Sequence, residues 1–163
     1  MRDALGFLDQ CLAYAEGDLT DEDVRRVLGA INAQALLDLA EAVLRGRVEA
    51  AWQAVDLLLG QGRDPREVAR ALGAHFRDLL LLRLAGKDAE PVGPAADYTE
   101  ALVSQAALAD SDFLCLAVEA LASLEGEMRL APQARLLLEA RLVRLCASAP
   151  GKVGAQVPVT EKA

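Results

Sequence analysis

Apolar residues recur along the chain at spacings of three and four, the interval that returns side chains to one face of an α-helix. Leu5, Leu8, Leu12 and Ala15 form the first such stripe and predict a helix over 3–15, stopped at Glu16-Gly17-Asp18. Thr20 is a good N-cap, and Asp21, Glu22 and Asp23 fill a first turn where the helix dipole favours acids. A second, short helix is therefore expected to run to Gly29, with Val24, Val27 and Leu28 inward. A third is expected over 33–44, capped by Asn32 and ended near Gly46, and a fourth over 48–59, ended by Gly60-Gln61-Gly62. Asp64 then caps a fifth, with Pro65 at the first helical position, where a missing N–H is no loss. That helix is expected to reach Ala85, a length of roughly 30 Å. Pro91, Gly93 and Pro94 mark 87–96 as a loop. Further helices are expected over 98–108, over 112–128 with Ser111 as cap, and from Pro132 to Ala147. After Pro150 the periodicity fades.

Two of these helices are apolar on more than one face. The fifth carries Val68, Ala69, Ala71, Leu72 and Phe76, then Leu79, Leu80, Leu81 and Leu82 in succession, then Leu84. Four consecutive leucines cannot all face one side. The eighth carries Leu136, Leu137, Leu138, Leu142, Val143 and Leu145. A helix of this kind is either central in its own fold or covered by a partner.

Composition agrees with the pattern. Of the 163 residues 53% are apolar and only 4% aromatic, with Leu and Ala supplying most of the apolar content, so the chain is expected to fold, and to fold as an all-α protein. A formal net charge of −8 excludes a general nucleic-acid-binding surface, though not a local patch. The charge is uneven. Residues 1–30 hold three Arg against seven acids, whereas 129–144 hold Arg129, Arg135, Arg141 and Arg144 against Glu139 alone. Arg141 and Arg144 share a helix face, which either pairs with an acidic neighbour or is solvated beside an internal partner.

Little in the chain suggests catalysis. The single histidine, His75, sits mid-helix without a second His or Cys at ligand spacing, so it is expected to be structural. The glycine–lysine signature of a phosphate-binding loop is absent, as is a dinucleotide fingerprint. Cys11, Cys115 and Cys146 are too few and too far apart for a disulfide framework or zinc site, and are expected to be buried free thiols in a reducing compartment, the cytoplasm. No apolar run, the leucines of 79–82 included, approaches the roughly 20 residues that span a bilayer, so no membrane role is expected.

Met1-Arg2-Asp3-Ala4-Leu5-Gly6-Phe7-Leu8-Asp9-Gln10 resembles a segment of the AAA+ lid in the tau/gamma subunit family of the bacterial DNA polymerase III clamp loader. Gly17-Asp18-Leu19-Thr20 followed by Val24 and Val27-Leu28-Gly29 resembles the lid's closing helix. Gly62-Arg63-Asp64-Pro65, Arg77-Asp78-Leu79-Leu80-Leu81 and Pro132-Gln133-Ala134-Arg135-Leu136-Leu137-Leu138-Glu139 resemble the family's collar helices, in order. The resemblance implies three parts: the end of an AAA+ lid over 1–30, a helical collar (domain III) over 31–148, and a flexible tail or linker over 149–163. The family's nucleotide-binding domain, zinc module and phosphate-binding loop are not among these residues.

In the family, collars of five subunits pack into the ring that holds the loader together for ATP-driven loading of the sliding clamp in DNA replication. The implied partners are the delta and delta prime subunits and further tau/gamma copies, with homo-oligomers possible and no direct nucleic-acid contact. The implied interface residues are Phe76, Leu79, Leu80, Leu81, Leu82, Arg135, Leu138, Arg141, Leu142 and Arg144. Arg2 matches the sensor-2 arginine that contacts the nucleotide γ-phosphate, so ATP and Mg belong to the full-length ATPase, with no cofactor and no enzymatic activity expected of this piece. The alternative is a standalone helical adaptor or regulator that binds a peptide or small apolar ligand between helices. An enzyme with an unrecognised site is the remaining reading.

Overall fold

A computed structural model describes residues 21–85, 96–129 and 131–151. The helix expected over 3–15, Arg2, Cys11, the loop up to residue 95 and residues 152–163 lie outside the described residues. The described residues form six α-helices: α1 (Asp21–Leu44), α2 (Val48–Gly60), α3 (Pro65–Ala85), α4 (Ala96–Ala106), α5 (Ser111–Met128) and α6 (Ala134–Ser148). The chain divides into two compact units, Met1–Ala35 and Leu36–Ala163. The described part of the first unit is helical throughout, and the fold below is that of the second.

The helix boundaries show which local signals win. Asp64 Oδ1 accepts from the Arg66 N–H (2.7 Å) and Pro65 opens α3, as expected. Gly46 (φ 67°) and Gly62 (φ 84°) take the left-handed conformation that ends α1 and α2. Gly29, expected as a stop, lies inside α1 instead, and the second and third expected helices are one. An interior glycine costs a helix about 1 kcal/mol relative to alanine, too little to end it without a left-handed turn. The cap of α5 is Asp110 rather than Ser111, because its carboxylate reaches the Phe113 N–H (2.8 Å). α6 begins at Ala134 rather than Pro132, after Gln133 in a non-helical conformation (φ −119°, ψ 62°). α4 stops at Ala106, where the Leu108 N–H turns back to the Gln105 carbonyl (3.0 Å).

α3 is the centre of the bundle. It packs most extensively on α5, carries α4 along another side, and touches α6 and α2. α6 packs on α5 and also on α2. The core holds Leu72, Phe76 and Leu79 of α3, Leu114, Leu121, Leu124 and Met128 of α5, Leu138 and Leu145 of α6, and Leu102 of α4, all essentially inaccessible. Gly73 lies at the contact of the two principal helices, where a Cβ would touch Leu121 Cβ at an ordinary 3.5 Å. At the junction of helix ends, Arg66 donates through Nε (3.2 Å) and an η nitrogen (3.1 Å) to the Met128 carbonyl, a group that α5 itself leaves unpaired. Ala149 is buried, and Gly151 runs so near the end of α1 that a Cβ would meet the Leu44 carbonyl oxygen at 3.2 Å.

Candidate functional site

The residues expected at an interface divide into two groups. Phe76, Leu79, Leu82, Leu138 and Leu142 are buried within the bundle, so the fold itself already covers their apolar surface and none is left for a partner. Leu80 is half-buried, and only Leu81 among the apolar residues of that set faces outward, at 53% exposure. The run of leucines thus wraps α3: Leu79 and Leu82 face the core, Leu80 lies at its edge, and Leu81 is on a bare side.

The arginines of α6 are also largely engaged within the chain. Arg141 donates to the Ala120 carbonyl (2.9 Å) and to Glu127 Oε1 (2.7 Å). Its guanidinium, with help from Ser123, holds the Glu127 carboxyl below the usual range. Arg135 donates to Glu139 Oε1 (2.7 Å) and to Asp56 on α2, and these two carboxylates raise its pKa further. The basic excess counted along 129–144 is therefore offset in space by Asp56 and Glu127. Arg144 remains exposed and makes no ion pair among the described residues.

A bare apolar surface does exist, at positions mostly outside the expected set. Val48 and Trp52 on α2 and Leu136 and Val143 on α6 are all exposed, Trp52 at 45%. Val48, Ala51, Trp52, Val55, Glu139, Leu142 and Val143 line a shallow cleft between the two helices. The sequence signal that could have found Trp52 is local. Ala51, Val55 and Leu58 form the inward stripe of α2, and Trp52 lies off it, a bulky aromatic on the polar side of a short helix.

His75 is structural, as expected, and holds α4 in place. Gln105 donates its amide to the Leu37 carbonyl (2.8 Å), so its oxygen faces His75 Nε2 (2.8 Å) and requires the ring proton there. His75 Nδ1 is then the acceptor for the Tyr98 hydroxyl (3.3 Å). Burial lowers the imidazole pKa, opposed by the Gln105 bond and the Asp78 charge. Burial, with the Asp78 charge, raises that of Tyr98. At His75 the folded state thus disfavours the proton, so this group's contribution to stability is complete above about pH 6.5 and is lost as pH falls below that value. With one histidine in the chain, the slope of thermal midpoint against pH between about 5 and 6.5 is expected to flatten in His75→Gln.

Cys146 is buried, which pushes its thiol up to about 11, whereas Cys115 is exposed, contrary to expectation, because it falls outside the inward stripe of α5. Among the described residues no cluster of His, Cys, Asp and Glu could hold a metal ion, and no single helix is long and apolar enough to cross a membrane.

Residues 19–156 match the family described as DNA polymerase III subunits gamma and tau domain III. The chain belongs to that family. It is 29% identical over 147 residues to the DNA polymerase III subunit tau of Bacillus subtilis, covering 90% of this chain and 26% of that protein. It is 32% identical over 147 residues to the subunit gamma/tau of Mycobacterium tuberculosis, covering 88% of this chain and 25% of that protein. The domain III chain thus spans about a quarter of the length of these relatives. Among solved structures, the Bacillus subtilis DNA clamp loader delta protein shares the fold, with a TM-score of 0.62 at 21% identity over 77% of this chain and 40% of that one.

Proposed function

We propose that this domain III chain is an oligomerisation module of the DNA polymerase III clamp loader, the collar that joins subunits of the loader ring. The observation that carries the reading is the family match over 19–156. The shared fold with a clamp loader delta protein is consistent with it, because related collars need compatible shapes. The exposed apolar residues of α2 and α6 add a reason for a partner, as contiguous bare apolar surface of this kind marks interaction sites.

On this reading 31–148 form the collar, 1–30 end an AAA+ lid, and 149–163 are a tail or linker. The division between Ala35 and Leu36 lies near that first boundary. Arg2 would serve ATP only alongside the nucleotide-binding part of a full-length subunit, and the chain alone is expected to hydrolyse no ATP, since it contains no phosphate-binding loop of its own. The partners would be delta, delta prime and further tau/gamma copies in the cytoplasm. Light scattering on the purified chain, alone and mixed with delta and delta prime, tests this. Self-association or a mixed complex is expected. A strict monomer that ignores both subunits at roughly 100 μM, where even a micromolar contact would be nearly saturated, would overturn it.

A further inference from the structure

The bare stripe of α3 and the bare ridge of α2 are complementary in charge, spacing and size. On α3, Arg70, Ala74, Arg77, Leu81 and Leu84 recur at helical intervals and are all exposed. The Arg70 and Arg77 side chains stay 63% and 62% exposed despite their ion pairs with Glu125 and Asp78. On α2, Val48, Glu49, Trp52, Gln53 and Asp56 are all exposed, and no Lys or Arg occurs from 48 to 62. Asp56 remains 54% exposed while paired with Arg135. Glu49 and Asp56 are seven residues apart, as are Arg70 and Arg77, so each pair is separated by about 10 Å along its helix. Between the acids stands the largest side chain of its ridge, Trp52. Between the arginines stands the smallest of its stripe, Ala74.

Building on the collar reading, we propose that the α2 ridge of one copy docks antiparallel on the α3 stripe of a second copy. Glu49 then meets Arg77, Asp56 meets Arg70, and the Trp52 ring lies over Ala74 between two guanidinium groups, where cation–π attraction adds to burial. Val48 comes alongside Leu81. Each copy keeps one free ridge and one free stripe, so the contact is head-to-tail and propagates, as a ring requires.

Two single variants in the full chain, Trp52→Glu and Leu81→Glu, test this with circular dichroism as the folding control. Arg77→Glu is a second stripe variant in case Leu81→Glu misfolds. Each variant alone is expected to be monomeric by light scattering, because one side of the contact is lost. Mixed, the two are expected to form a one-to-one dimer that grows no further, since one intact ridge and one intact stripe remain. A wild-type chain that assembles while the mixture stays monomeric, or an assembly that either variant leaves unchanged, would overturn the head-to-tail contact and leave the collar reading standing. A wild-type chain that binds neither itself nor delta and delta prime overturns both.

Discussion

Phe76→Ala is expected to destabilise the isolated chain by about 3–5 kcal/mol. The ring is completely inaccessible and stands edge-on to Phe113, with centroids 6.4 Å apart and planes at 73°. Removing it deletes its ring contacts with His75 on α3 and Phe113 on α5 and leaves a cavity that the close-packed neighbours cannot fill by moving slightly. Against a typical total of about 5–15 kcal/mol, such a loss takes a large share of the stability. A urea titration reads it as a lower midpoint with an unchanged slope. Leu81→Ala, five residues along the same helix, is expected to change the stability by no more than about 0.5 kcal/mol, because Leu81 has little native packing to lose. Equal effects at the two positions would mean that α3 is oriented differently in its bundle.

The second large effect is expected at Gln105. This side chain is 5% exposed and serves two buried groups, the Leu37 carbonyl and the His75 Nε2–H. Gln105→Leu leaves both without a partner, at a cost of about 2–4 kcal/mol. Gln105→Glu separates the two roles. A carboxylate cannot donate to Leu37, so stability still falls, but it stabilises the imidazolium. The His75 pKa, followed by proton NMR, is expected to rise above its wild-type value in Gln105→Glu. No rise would mean that the ring and the amide are not in contact.

Much of the helical order is legible in the sequence, because caps and stripes are local. Asp64-Pro65 and the left-handed glycines at 46 and 62 act within one turn, and the structure places helix ends beside them. Gly29 shows the limit: composition alone does not distinguish a glycine that turns the chain from one that is carried through a helix. The candidate interface is less legible, for a physical reason. Periodicity reports that a position is covered by something apolar and is silent on whether the cover belongs to the same chain. Leu79 and Leu81 therefore look alike in sequence, although one is core and the other is bare. The charge of α6 misleads in the same way, since Asp56 lies 79 residues before its partner Arg135.

The seating of α2 on α6 has a consequence during synthesis. The inward stripe of α2, Ala51, Val55 and Leu58, belongs to a helix that packs on α6, which is synthesised well after it. At roughly 5–20 residues per second, the interval between the two is about 4–16 seconds. Through that interval the nascent chain displays the part of α2 that α6 later covers, an apolar surface open to chaperone binding or to premature pairing with a neighbouring chain.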